Sequence, residues 1–480
     1  MSDAGSGEKV ELTRKEIGAI VTGLMFAMFP GALDTTIVAP AMPTIGRELG
    51  DAEHLPWIVT AYLLIATAAT PLYGKLSDIH GRRIMLLVAI SIFAAGSALC
   101  ALAPSIIALA LARAVQAIGG GGLMSVSMTV VGDLVPPRER VRYQVYTSIM
   151  WTTASLAGPV LGGWFAEKWH WSWMFWINLP LCLAAWLIID SKLRRLPRHE
   201  RPHQLDFPGA ILLVAASILF QLALSQGGAR YPWLSGPILG LFAGAAVATA
   251  LLVWRLKTAK EPLISYTLLS NRIVLTGACS VGMTMAVYVA LSIYLPTYFE
   301  AVHGFSASQS GLALLPLMTC PTIGALTAGR AMSRVRHYKF VPVTGLAIAS
   351  MALLPMFFWP DGLSVTTIEL LLMLAATGVG AVFPVTTVSV QNAVALHELG
   401  TATSLVTFTR NLGSALGVAA FGAIVIGGEH ARTGSAVATA AEFASLFRWT
   451  FLAGSLGFLI ALLVMSRMEE RPLRDQRLRG

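Results

Sequence analysis

Long apolar runs alternate with short polar segments along the whole chain. They fall at about 17–40, 55–74, 84–103, 106–133, 143–166, 173–190, 208–226, 234–255, 272–299, 308–330, 340–359, 364–390, 400–427 and 446–466. A helix needs about 20 residues to cross the hydrocarbon core of a bilayer, and the runs are of that order. A transmembrane barrel would instead alternate apolar and polar residues within short strands. The pattern predicts an all-α polytopic membrane protein with fourteen transmembrane helices, an even number that leaves both termini on one side. The pair 208–226 and 234–255 stands between two basic segments, 191–204 and 256–271. The predicted organisation is therefore 6+2+6. Residues 1–204 form one six-helix half, 205–257 a two-helix central insert and 258–480 a second six-helix half.

The basic residues orient this arrangement. Of 34 Lys and Arg, only Arg47, Lys168, Arg230, Arg432 and Arg448 fall on the side away from the termini, and Arg113 and Arg410 fall inside spans. All the others lie in the two tails and the loops on the termini's side. Cytoplasmic loops carry the excess of Lys and Arg, so both termini are expected in the cytoplasm and the spans in the inner (plasma) membrane. Residues 1–15 are polar, and the first apolar run is too long for a signal-peptide core, so it is expected to be retained as a span.

Composition agrees. Hydrophobic residues make up 55% and charged residues 12% of the 480, against about a quarter charged in soluble domains. A soluble enzyme and a disordered chain are excluded. The net charge of +9 is dispersed among loops and does not point to nucleic acid. Cys100, Cys182, Cys279 and Cys320 all sit in apolar runs without metal-ligand spacing and read as small hydrophobes. No phosphate-binding G-x-x-x-x-G-K-[ST] loop, H-E-x-x-H or Cys/His cluster occurs, so neither a metal nor a cofactor is expected.

Charge inside a span is costly and needs a reason. Asp34 is the one carboxylate deep within a predicted span, and Arg113 and Arg410 are the deep cations. Asp133, Glu300 and Glu369 lie nearer span ends. Two readings of Asp34 and Arg113 stand open: a structural pair, or a carboxylate that gains and loses a proton as its arginine moves. Tyr62, Gln116, Trp151, Gln391 and Asn411 are the polar or amphipathic candidates for a cavity wall, and Asn392 is a further one. The 18 Met and 20 Phe suit an adaptable apolar cavity and a lipid-facing surface equally well.

Several ordered segments resemble the major facilitator superfamily, and within it the 14-spanning drug:proton antiporter branch. Leu33 to Pro43, with Asp34, is similar to that branch's first-helix motif, with Ala39 at a usual Asn. Gly74-Lys75-Leu76-Ser77-Asp78-Ile79-His80-Gly81-Arg82-Arg83 resembles the superfamily's loop between spans two and three. Gly329 to Arg334 echoes it weakly in the second half. Arg113 to Gly119 resembles the fourth-helix motif, and Gly158-Pro159-Val160-Leu161-Gly162-Gly163 the fifth-helix antiporter motif. Trp171 to Pro180 and Asp206 to Gly209 resemble the family's starts of spans six and seven.

Each motif also has a physical reading. Gly74 and Gly81 bracket a tight turn. Asp78 can accept from helix N-terminal amides, and Arg82 and Arg83 can pair across a cytoplasmic gate. Gly158, Pro159, Gly162 and Gly163 permit close helix approach and a bend, and only the resemblance ties them to exchange. What the resemblance implies is a proton-coupled exporter of hydrophobic or amphipathic compounds working by alternating access, with Asp34 and Arg113 coupling protons. The alternative is a transporter of a specific metabolite, lipid or siderophore on the same fold. Expected partners are a small substrate, protons and the bilayer, and the chain is expected to act as a monomer. The loop at about 428–445 is short, so no large external domain is expected there to dock a periplasmic adaptor. A membrane-embedded enzyme would need a clustered catalytic set, and the sequence holds none.

Overall fold

The computed structural model describes residues 14–50, 54–194, 206–228, 230–334, 337–430 and 440–472. Its regular structure is helical apart from one isolated bridge, Gly227 to Tyr231. The predicted 204/205 boundary, most of the tail arginines and the middle of the 428–445 loop lie outside the described residues.

In the first half, α1 (Arg14–Ile37) contains Pro30, and Pro40 and Pro43 then turn the chain through a tight helical turn into α2 (Met42–Leu49). Next come α3 (Trp57–His80), α4 (Arg82–Ala101), α5 (Ile106–Leu134), α6 (Pro137–Lys168), α7 (Trp173–Trp176) and α8 (Asn178–Leu193). Gly81 divides α3 from α4 at φ 89°, a conformation that favours glycine. The predicted insert forms a hairpin of α9 (Phe207–Gln226) and α10 (Gly236–Thr258). Asp206 caps α9 by accepting the Gly209 amide at 3.1 Å and pairs with Arg255 at 2.9 Å, which ties the open end of the hairpin together.

The second half runs through α11 (Tyr266–Ser270), α12 (Arg272–His303), α13 (Ala307–Ala313), α14 (Leu315–Thr319), α15 (Pro321–Arg334), α16 (Phe340–Phe358), α17 (Val365–Gly380), α18 (Val382–Ala393), α19 (Leu399–His430) and α20 (Ala440–Ser466).

Among the described residues, 12 helices are long and apolar enough to cross a membrane. Two of the fourteen expected spans fall short of that measure, each for a visible reason. Expected span 143–166 lies in α6, whose 32 residues reach about 48 Å. It carries Gln144, Thr147, Ser148, Thr152, Thr153 and Ser155, however, so no sufficiently apolar stretch remains. Expected span 308–330 is divided into α13, α14 and α15, with Pro316 and Pro321 at the start of the later segments, where proline is tolerated.

The cores divide along the chain. Buried residues between Ile20 and Leu193 form two clusters, and those between Ala210 and Met468 form two others. The insert packs through α9 against both α3 and α19, along a seam between the halves.

Candidate transport site

Asp34 on α1 lies wholly buried beside Arg113 of α5, with which it forms an ion pair. The carboxylate also accepts from Gln116 Nε2 at 2.9 Å and from Asn178 Nδ2 at 3.4 Å. The arginine donates from Nη1 to Gln116 Oε1 at 2.7 Å and from Nε to the Ile58 carbonyl at 3.1 Å. Ser97 of α4 accepts from both amides, at 2.8 Å and 3.3 Å. Five helices thus hold one charge pair. Such closure matters, because a buried pair that loses one partner leaves an uncompensated ion at a cost of roughly 3–5 kcal/mol. The Tyr62 ring covers the guanidinium at 4.2 Å.

On its other side Tyr62 lines a central cavity of about 1350 Å³. The walls come from both halves and from the α9–α10 turn: Thr35 and Thr36 of α1, Trp151 and Pro159 of α6, Trp233 of the turn, Tyr288 of α12, Phe383 of α18, and Arg410 and Asn411 of α19. Of the residues expected on the wall, Tyr62, Trp151 and Asn411 line it; Gln116 and Gln391 do not. Gln116 faces away from the cavity because it completes the Asp34–Arg113 cluster. Gln391 is buried between the halves, donating to the Met128 carbonyl at 3.3 Å and to Thr403 at 3.1 Å. Asn392 likewise lies off the wall and donates to the Pro472 carbonyl at 3.2 Å.

The Gly74–Arg83 segment sits where α3 meets the start of α19. Asp78 accepts the backbone amides of Gly400 at 3.1 Å and Thr401 at 2.9 Å, so it caps a helix of the opposite half. Gly74 packs so closely on Gly400 that a side chain there would meet its carbonyl at 2.7 Å. Arg82 pairs with Asp78 at 2.6 Å and Asp133 at 2.8 Å, and Arg83 pairs with Asp190. At this segment the two halves are in direct contact.

In the fifth-helix motif, Gly158 faces Thr36 and Gly162 faces the Ile37 carbonyl, both nearer than a Cβ tolerates, whereas Gly163 meets nothing within 4 Å. Thr36 donates across the crossing to the Ala154 carbonyl at 2.9 Å. Pro159 lies inside α6 and lines the cavity. The motif is thus an α1–α6 crossing two residues from Asp34.

Sequence reasoning missed Ser97, the pairing role of Asn178, and Arg410 as a wall residue. Arg410 lies with its guanidinium 5.5 Å from the Trp151 ring and 5.1 Å from the Phe383 ring. Taking an ion out of water costs several kcal/mol, and a cation–π contact gives back about 0.5–2 kcal/mol. The signal that could have found it was its status as the second deep cation, without a deep acid left to pair with it.

The family model described as Major Facilitator Superfamily matches residues 24–418. An uncharacterized MFS-type transporter of Mycobacterium tuberculosis is 34% identical over 424 residues, which are 88% of this chain and 61% of that protein. The chain therefore spans less than two thirds of that relative's length. The multidrug transporter protein MdtP of Bacillus subtilis is 34% identical over 417 residues, 87% of this chain and 76% of that protein. Among solved structures, an outward-facing bacterial homologue of the iron transporter ferroportin has a TM-score of 0.66 at 12% identity, covering 96% of this chain and 100% of that one. At that identity the likeness establishes the fold alone.

Proposed function

The chain belongs to the major facilitator superfamily, and from that premise we propose that it exports hydrophobic or amphipathic small molecules in exchange for protons. The name of the Bacillus relative, multidrug transporter protein MdtP, supports the export reading. The observation that carries the coupling is the Asp34–Arg113 pair, buried on one side of Tyr62 while the cavity lies on the other. A substrate pressing on Tyr62 holds the ring, and with it Arg113, against Asp34, and the paired carboxylate stays unprotonated. Once the substrate has left, Arg113 moves off and the carboxylate takes up a proton in place of its lost partner. Return of the arginine with the next substrate releases it.

The contacts between the halves support alternating access. Asp78 of α3, bonded to α19, and Gln391 of α18, bonded to α5, hold one end shut, and their release would open the cavity there. The remaining parts of the proposal are fourteen spans in a 6+2+6 order with halves at 1–204 and 258–480 around the 205–257 insert, cytoplasmic termini, a plasma-membrane location and a monomeric unit. In that frame α6 and the α13–α15 stretch are the two further spans, and the closed end is the cytoplasmic one.

A second reading, a transporter of one metabolite, lipid or siderophore, is favoured by the polar stripe Gln144, Thr147, Ser148, Thr152 and Ser155 of α6 on the cavity wall. Proteoliposomes carrying a trapped pH dye separate the two. Exchange predicts proton movement on addition of several unrelated apolar compounds; the second reading predicts a response to one compound class only.

A further inference from the structure

We propose that the central cavity is built for amphipathic organic anions, with Arg410 receiving the anionic head. The inference rests on reading the cavity as an export site and narrows that site to one charge class.

Arg230 and Arg410 are the charged side chains on the cavity wall among the described residues, and neither Asp nor Glu lines it. The deep carboxylate does not offset Arg410. Asp34 is committed to Arg113 behind Tyr62, and that pair is neutral as a unit. The cavity therefore carries the positive charge of Arg410 in surroundings of low dielectric, where the field on a bound ion is strongest.

The setting of Arg410 fits an anion receptor. Trp151 and Phe383 approach its guanidinium from two helices. Ring faces take up positive charge without occupying N–H donors, and a guanidinium has five donors and no acceptor. Among the described residues no acid or carbonyl is paired with that group; its neighbours Asn411 and Ser414 also line the cavity. A carboxylate, sulfonate or phosphate matches the planar fork with two parallel hydrogen bonds. The aromatic and aliphatic wall around it accommodates an apolar body. A cationic amphipath would find the same apolar wall but the wrong field.

The test uses the full chain purified into phosphatidylcholine nanodiscs and two probes sharing one apolar body, 1-pyrenebutanoate and (1-pyrenebutyl)trimethylammonium. Energy transfer from tryptophan, Trp151 and Trp233 being on the wall, reads binding above that to empty discs. The anion should bind at least about tenfold more tightly than the cation. Arg410→Gln should abolish the difference, and Arg410→Lys should retain part of it. Equal binding, tighter binding of the cation, or a full preference surviving in Arg410→Gln overturns the inference. If Arg410→Gln does not purify as a single species, the wild-type pair of probes decides alone.

Proton-driven uptake of the neutral 1-pyrenebutanol into inverted vesicles keeps the two readings apart. Transport of all three probes at equal rates leaves export standing and removes the anion inference. Selective binding of the anion without transport of any probe does the reverse.

Discussion

Asp78 and Thr401 lie 323 residues apart and are joined twice: the Asp78 carboxylate accepts the Thr401 amide at 2.9 Å and its hydroxyl at 2.8 Å. A side chain at the end of a first-half helix thus caps the first turn of a second-half helix. Arg82 holds the same carboxylate from the other side. In the alternating-access proposal the contact joins two bodies that the cycle must separate, so its strength would set how long one end stays shut.

Asp78→Asn keeps the shape and one acceptor but loses the charge that strengthens both the cap and the arginine contact. Charge-assisted hydrogen bonds contribute about 1.5–3 kcal/mol each. The closed end should therefore open more readily, and flux in proteoliposomes should fall about tenfold while the yield of folded, inserted protein is unchanged. Flux equal to wild type would reduce the segment to a topology signal.

The fifth-helix glycines should separate by face. Gly162→Ala drives a methyl into the Ile37 carbonyl, and α1 and α6 must part, at a cost of about 1–3 kcal/mol. Gly163→Ala meets open space. A thermal unfolding series in detergent should show a lowered midpoint for the first variant and none for the second, with transport following stability. Equal behaviour of the two would contradict the crossing described.

Some of this was legible in the sequence and some was not. Asp34 and Arg113 stood out because an ion inside a span is expensive, and the expense itself forces the pairing. Ser97 and Asn178 carried no such mark. A serine or asparagine in a helix can satisfy itself on its own backbone, and only the packing of α4 against α5 and α8, and of α8 against α1, reveals that they complete the cluster. Gln116 and Gln391 were misplaced for a related reason: a polar residue in a span faces either a cavity or another buried polar group, and spacing alone does not choose. Asp78 was readable as a cap in search of a helix, but α19 as its partner was not, since the two are joined only by the closure of the halves. Arg410 showed the charge without a partner, and its position between Trp151 and Phe383 needed three helices in place.

Topology can be read directly with reporters. Fusions after Lys260 should report cytoplasm and a fusion after Arg230 the opposite side, because the α9–α10 hairpin should cross twice. A cytoplasmic signal after Arg230 would remove the hairpin from the membrane and leave twelve spans.

The coupling claim rests on Asp34, and pH-gradient-driven efflux by wild type and Asp34→Asn, at matched amounts in proteoliposomes, measures it most directly. Asparagine keeps the size and polar tip but cannot exchange a proton. It should abolish accumulation against a gradient while substrate binding persists, and Arg113→Ala should also uncouple because nothing then displaces the proton. An Asp34→Asn protein that still pumps uphill would make the pair structural and move the coupling site to Asp133, Glu300 or Glu369.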